Sequence, residues 1–306
     1  MPRASRRSWP GYVTARHQAA GGPLIDGVLL VDKPAGVTSH DAVMTTRRAL
    51  GERRIGHAGT LDPFATGLLV MLVGRATRLL PYIDGEPKVY DATIRFGAET
   101  NTGDLLGEIS RTAPLPAVAA IDQAISQLTG TIEQIPPTFS AKRVGGRRAH
   151  EAARAGEALT LRPVMVRVDA WLMLARRADE IDVRITCGGG TYIRALARDL
   201  GAIVNSAAHL TALRRLRSGA FHVADAATLD SVRDGRAAVL QPLAALPSLP
   251  IDLLSEEYVQ RVVRGLDVPA SSDGPRGALV NEAGTLVALA ERCGDRWQPR
   301  VVMRRE

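Results

Sequence analysis

Apolar and polar positions along the chain alternate with two different periods. An unbroken apolar run at 68–73 reads as a buried strand, and 27–31 as a shorter one. Lys88–Phe96 alternates polar and apolar as a half-buried strand should, and 164–174 and 181–187 add two more sheet strands. Helical spacing marks Ser39–Leu50, with Thr38 or Ser39 as N-cap, and also 76–83, 118–128 and 192–203. Gly145-Gly146 gives a hairpin signal within 138–148, and 150–155 favours helix. Hairpin-like and crossover connections both occur. The expected fold class is therefore α/β (α+β), a mixed, largely antiparallel sheet flanked by helices rather than a doubly wound one.

The pattern breaks at 241–250, where three prolines suggest a stiff linker. Beyond it come a helix at 256–264 and short strands at 277–280, 286–290 and 300–303, too little chain for a large core and best read as a compact β module. The expected division is a basic, disordered leader at 1–26, a catalytic domain at 27–243 and a C-terminal domain at 251–306. No chemical motif follows Pro242, so a chain ending near residue 241 is expected to keep its chemistry. The C-terminal arginines Arg276, Arg292, Arg296 and Arg300 are read as contacts to phosphate.

Composition narrows the class. A net charge of +7 in 306 residues, with a pI near 10.0, favours a polyanionic partner. The positive charge is nearly all arginine, lysine occurring only at 33, 88 and 142. Cys187 and Cys293 are too far apart in sequence for a disulfide framework and lack the spacing of a zinc site. No metal and no cofactor is expected. No apolar run is long enough to span a membrane, and the leader, with Arg3, Arg6, Arg7 and Arg16, has no apolar stretch of a secretory signal. The expected location is the cytoplasm.

The candidate chemistry sits in His57-Ala-Gly-Thr-Leu-Asp62-Pro-Phe-Ala-Thr-Gly67, read as a polar loop held against the buried run that follows. Pro63 biases Asp62 toward extended backbone and limits its motion. Asp62 is the candidate nucleophile, against the plainer reading of an Asp-Pro turn capping a strand. Upstream stands Gly27-Val-Leu-Leu-Val-Asp-Lys33-Pro34-Ala-Gly36-Val-Thr-Ser39-His40. Downstream stands Cys187-Gly-Gly-Gly-Thr191-Tyr192-Ile-Arg194-Ala-Leu196-Ala-Arg-Asp199-Leu-Gly201.

In this order the three segments resemble the TruB family of tRNA pseudouridine(55) synthases, with its GxLxxDKPxGxTSH, GHxGTLDPxAxGxL and CxxGTYIRxLxxDLG patterns. The resemblance runs from about Gly27 to Phe221. It implies a pseudouridine synthase fold with an RNA-facing insert at about 104–154. It also implies isomerisation of the T-loop uridine at position 55 of tRNA, in which the N1–C1′ bond breaks, the uracil turns and C5 joins C1′. That chemistry needs no redox change and no metal. It does need a carboxylate to hold one fragment while the other turns. Attack at C6, attack at C1′ and assistance to a glycal all remain open for Asp62. The C-terminal module is similar to a PUA domain.

The resemblance assigns further roles residue by residue. A base inside folded RNA must be flipped out to be reached, at roughly a few kcal/mol of unstacking. Tyr90, in the lysine-x-tyrosine strand, is the residue that stacks on it, and His57 the one that inserts into the RNA. Arg194 is placed against Asp62, where a charge-assisted pair keeps the carboxylate ionised. Tyr192 makes a polar contact near the nucleophile, Leu213 lines the uracil pocket, and Asp104 orients the substrate. Lys33-Pro34 ties the first motif beneath the site. Arg214 and Arg215 are read either as phosphate contacts or as a solvated helix face. Arg143 and His150 stand where the family commonly has lysine and tyrosine. The expected partner is the tRNA T-arm stem-loop, bound by a monomer that requires no protein partner. The alternatives are an RNA chaperone that flips and refolds the tRNA elbow and a guide-dependent, dyskerin-like synthase. Intact Asp62 and Arg194 favour catalysis over a chaperone, and the 104–154 insert resembles the stand-alone type.

Overall fold

The structure is a computed structural model that describes residues 12–14, 25–139, 143–144, 147–148 and 161–303. Its centre is a mixed sheet with strands in the order Tyr12–Thr14, Ala238–Leu240, Gly27–Lys33, Thr66–Val73, Ala208–Ser218, Lys88–Phe96, Glu180–Cys187, Val164–Arg176 and Gly130–Gln134. Neighbours run antiparallel except Ala208–Ser218, which lies parallel to Thr66–Val73. The short strand Ala227–Thr228 adds a second parallel pairing, with Gly27–Lys33. The mixed, largely antiparallel sheet expected from the connections is the one observed.

Both faces of the central strands are buried, and the period of two divides them cleanly. Leu29, Val31, Leu69, Met71 and Val73 point into one core, beneath the helices Ser39–Leu50, Val118–Gln127 and Ile193–Ile203. Val28, Leu30, Leu68, Val70 and Leu72 point into another. This is why 68–73 is apolar without a break. The second core is closed by the 3-10 helix Gly74–Tyr82, by the 3-10 helix Pro242–Ala245, and by the C-terminal sheet through Ala278, Val280, Leu286, Leu289, Val301 and Met303.

The C-terminal unit has five strands in the order Ile251–Leu254, Arg276–Asn281, Leu286–Cys293, Arg296–Val302 and Val268–Pro269, crossed by the helix Glu256–Val263. It keeps its own small core around the fully buried Trp297, whose indole donates to Asp252 Oδ2 at 2.7 Å. Its other side packs on the central sheet through the second core. Arg75 Nη1 donates to Met303 O at 2.6 Å, Arg78 Nη1 to Val302 O at 2.9 Å, and the Arg276 guanidinium lies 5.2 Å from the Tyr82 ring centre.

Several expectations change. The helix expected at 76–83 is a 3-10 helix that carries Pro81, a residue an α-helix interior tolerates poorly. The proline-rich 241–250 segment is a packed element, with Ala245 and Leu246 buried in the shared core, and not a spacer. Part of the expected leader, Tyr12–Thr14, is a strand paired with Ala238–Leu240, and its end is packed, Ile25 against the core and Asp26 Oδ1 accepting from Arg75 N at 2.6 Å; the rest of it lies outside the described residues, as do His150 and the helix expected at 150–155. Arg143–Val144 pairs antiparallel with Arg147–Arg148, in keeping with the hairpin signal of Gly145-Gly146. The four C-terminal arginines each face a carboxylate: Arg276 and Arg300 share Glu291, Arg292 lies near Asp273, and Arg296 pairs with Asp267. Three carboxylates thus stand against four arginines whose side chains remain 29–52% exposed.

The shared core argues against the separability expected from motif positions. A chain ending at Gln241 would lose Ala245, Leu246 and the C-terminal sheet from the core that holds Val28, Leu30, Leu68, Val70 and Leu72, and so uncover part of it. Such a contiguous apolar face drives aggregation. We expect that truncation to leave little protein in the soluble fraction. Recovery of a monodisperse truncated protein with an intact thermal transition would show that the C-terminal sheet is dispensable for folding.

Candidate active site

Asp62 lies on the turn between the short strand Ile55–Ala58 and Thr66–Val73, at the helix-covered side of the sheet. The turn is held at every second residue. Arg215 Nη2 donates to Gly59 O at 2.9 Å. Ser39 Oγ accepts from Leu61 N at 2.9 Å and donates to Leu61 O at 3.0 Å. Pro63 O accepts from Gly36 N at 2.9 Å and, more weakly, from Lys33 Nζ at 3.4 Å. Two strands, a loop and the start of the helix Ser39–Leu50 therefore fix the backbone on both sides of the aspartate.

Arg194 fixes its side chain. Nε donates to Asp62 Oδ2 at 2.8 Å and Nη2 to Oδ1 at 2.9 Å, the fork-to-fork geometry that gives arginine both strength and direction. Its other donors reach Thr102 O at 2.7 Å and Phe139 O at 2.8 Å. The Arg194 side chain is 5% exposed while that of Asp62 is 31% exposed, so the carboxylate faces the open side and the guanidinium lies behind it.

Arg194 leaves the first turn of Ile193–Ile203, and that turn is clamped in its own way. Gln134, 1% exposed, accepts from Tyr192 N at 2.9 Å and donates to Tyr192 O at 3.2 Å. One side-chain amide thus satisfies both backbone groups of the residue that begins the helix. Asp104 is also buried, but its Oδ1 accepts from Thr102 Oγ1 at 2.8 Å and Leu106 N at 3.0 Å, and its Oδ2 lies 3.9 Å from Arg194 Nε. It braces Arg194 and its own turn.

Beneath Asp62 the sheet brings together the remaining site residues. Tyr90 stands directly opposite Arg215 across the paired strands, and Leu213 opposite Ala92; both Tyr90 and Leu213 are 7% exposed. Burial pushes the Tyr90 hydroxyl above its ordinary pKa, against the pull of the Arg215 charge, so it stays neutral. His57 belongs to the strand Ile55–Ala58, opposite Met71, and not to a loop as expected. Its Nδ1 is buried with no partner among the described residues. Burial, with Arg215 and His40 adding to it, holds the imidazole below its usual pKa. Lys33, fully buried, donates to Pro34 O at 2.8 Å and Val37 O at 2.6 Å. Burial brings its ammonium down to about 8, Asp62 opposing the shift and Arg215 reinforcing it, so it remains mostly charged at neutral pH. It does tie the first motif beneath the site.

Arg214 and Arg215 need correction. The stretch is the strand Ala208–Ser218, not a helix face, and neither residue is free for phosphate. Arg214 makes a two-point pair with Asp32 at 3.0 and 2.7 Å. Arg215 is 1% exposed and donates to Leu68 O at 2.7 Å as well as to the catalytic turn. Its strand approaches so closely that a Cβ on Gly67 would lie 2.3 Å from Arg215 O. Gln134 and Ser39 were not legible as site residues either, each acting on backbone far away in sequence. No group of three or more His, Cys, Asp or Glu residues able to hold a metal occurs among the described residues, and none of their helices is long and apolar enough to cross a membrane.

An aspartate so held, above a buried tyrosine and leucine, can act as an oriented nucleophile toward a planar ring. The sheet with its C-terminal β unit matches that of an H/ACA ribonucleoprotein bound to a substrate RNA containing 2′-deoxyuridine, with a TM-score of 0.69 over 92% of this chain and 86% of that one, at 23% identity. That likeness defines the fold class. Residues 47–193 match the family model "TruB family pseudouridylate synthase (N terminal domain)" and 194–267 match "tRNA pseudouridylate synthase B C-terminal domain". A protein of Thermobifida fusca named tRNA pseudouridine synthase B is 46% identical over 91% of this chain and 99% of its own. One of Mycobacterium tuberculosis with the same name is 42% identical over 94% of this chain and 97% of its own. The chain belongs to the TruB family of pseudouridylate synthases.

The geometry of Arg194 makes a sharp expectation. Arg194→Lys keeps the charge but cannot reach both Asp62 oxygens and two carbonyls from one point, so we expect turnover to fall by about a hundredfold or more. The melting temperature should drop less than in Arg194→Ala, which leaves Asp62, Thr102 O and Phe139 O without their donor. Single-turnover rates and thermal melts of the two variants check this; full activity in Arg194→Lys would contradict a geometric role.

His57 gives a pH expectation. Its pKa in the folded protein lies below that of the unfolded chain, so just below pH 6.5 the unfolded state binds the extra proton and folding stability falls as pH drops. His57→Asn should remove that part of the acid sensitivity. Urea unfolding of both proteins at pH 7.5 and 5.5 measures it: the wild type should lose more stability than the variant.

Proposed function

We propose that this chain is a stand-alone tRNA pseudouridine synthase that isomerises the T-loop uridine at position 55 by base flipping, with Asp62 as nucleophile. The observation that carries the reading is the pinned Asp62–Arg194 pair, set in a chain 42–46% identical to proteins named tRNA pseudouridine synthase B. Arg194 holds the carboxylate aimed outward, as each open route (addition at C6, attack at C1′, or assistance to a glycal) requires. Tyr90 offers a flat, neutral ring for the extruded uracil and Leu213 an apolar wall beside it. His57, neutral at physiological pH, fills the space the base leaves in the RNA. Tyr192 contributes a polar contact at the rim, and Asp104 acts on the substrate by way of Arg194.

The partner is the T-arm stem-loop of tRNA, met by a monomer in the cytoplasm, with no cofactor in the reaction. The positive charge of the whole chain supports an RNA partner. The reading assigns the guide-dependent assemblies a shared fold and no more.

Asp62→Asn and Asp62→Ala should abolish pseudouridine formation while leaving tRNA affinity within a few-fold, since affinity is spread over many phosphate contacts and chemistry over one carboxylate. A carbodiimide primer-extension stop at position 55 reads the product, and filter binding reads the affinity. Turnover above one-tenth of wild type in Asp62→Asn would remove the nucleophile assignment.

A further inference from the structure

Four cations gather around the catalytic turn, and three of them donate to acceptors within the protein. Arg194 holds Asp62 and two carbonyls, Lys33 holds backbone carbonyls, and Arg215 holds Leu68 O and Gly59 O. Lys88 is the exception: it has neither a hydrogen bond nor an ion pair with any described residue, although it is half-buried. It begins the strand that carries Tyr90, two residues on, and so projects from the same face of the sheet. Its ammonium borders Gly59, where an added Cβ would lie 3.8 Å from Lys88 Nζ and 3.3 Å from Arg215 Nη1. The nearby carboxylate of Glu86 is engaged elsewhere, accepting from Gly189 N at 2.6 Å and from Arg167 Nη2 at 3.2 Å.

We infer that Lys88 is an anchor for a backbone phosphate of the extruded nucleotide, a phosphodiester immediately flanking the target uridine. An uncompensated ammonium in a partly desolvated place is costly, and an incoming anion relieves that cost. Burial, reinforced by the Arg215 charge, lowers its pKa, and Cys187 and Glu86 oppose that shift only in part, so a phosphate brought against it would favour the charged form. Position settles which anion. Lys88 stands two residues from the ring proposed to stack on the uracil and beside the turn that carries Asp62. Extruding a nucleotide swings its phosphates toward the protein together with its base. A point-charge donor on a flexible stem suits a phosphate oxygen whose direction changes during that swing.

This inference rests on the RNA-modifying reading above, and its test keeps the two separable. T-arm stem-loops are prepared with one neutral methylphosphonate linkage, placed 5′ or 3′ of the target uridine, beside the unmodified RNA. Each is bound to wild type, Lys88→Gln and Lys88→Arg. Lys88→Gln should weaken binding of unmodified RNA about tenfold or more and reduce the log–log salt slope by about one. One of the two neutral linkages should weaken wild type by a similar factor but leave Lys88→Gln with little further loss. Lys88→Arg, which keeps the charge, should restore most of the affinity and the sensitivity to that linkage. Equal penalties from both linkages in wild type and Lys88→Gln would overturn the anchor. If Lys88→Gln does not fold, failure of Lys88→Arg to show greater sensitivity to either linkage than to a distal one would overturn it as well. Absence of wild-type binding to any T-arm RNA would instead count against the proposed function.

Discussion

The two-point grip of Arg194 on Asp62 is the interaction from which the rest of the molecule can be understood. A lone carboxylate at the mouth of the site would be costly to hold in place and would turn toward water. A lone guanidinium buried to the same degree would be more costly still. Each makes the other tolerable, and the geometry of the pair requires that two distant segments meet within a few tenths of an ångström. The first is the turn after Ile55–Ala58, held by Arg215, Ser39 and Lys33; the second is the helix start clamped by Gln134. Both sets of ties are aimed mostly at backbone, so they fix position without competing for the acidic oxygens.

A second constraint is the double-sided burial of the central strands. Because alternate residues of Gly27–Lys33 and Thr66–Val73 serve different cores, the sheet cannot slide by one residue without exchanging them. The parallel contact of Ala208–Ser218 with Thr66–Val73 then carries Arg215 beneath the turn. The C-terminal sheet closes the second core, so it supports the strand from which the catalytic turn emerges even though it contributes no side chain to the site.

The sequence made the apolar strands legible because their burial is extreme, and the motif residues legible because their order resembles that of a family. What it hid has a common physical cause. Leu213-Arg-Arg-Leu-Arg217 reads as a surface because charged residues usually are solvated. Here one arginine is paired with Asp32 and the next is sealed under a turn, and no local pattern announces either partner. Gln134 and Ser39 act on backbone 58 and 22 residues away, respectively, which periodicity cannot register. The linker at 241–250 was misread because prolines signal stiffness whether or not the segment is packed. Of the carboxylates beside the C-terminal arginines, Glu291 lies on a neighbouring strand and Asp267 and Asp273 in loops, so no local pattern pairs them in the sequence.

Anchoring the catalytic turn at residues 59, 61 and 63 also decides where the work of recognition is done. A protein whose nucleophile rides on a hinged lid can adapt to its substrate and share the strain. Here the nucleophile moves only if the sheet moves. The bending, unstacking and re-pairing must be borne by the nucleic acid, and the barrier is set by how easily a given loop of RNA deforms. Selectivity then becomes a mechanical property of the substrate: a uridine is chosen for the softness of its surroundings as much as for any edge the protein reads.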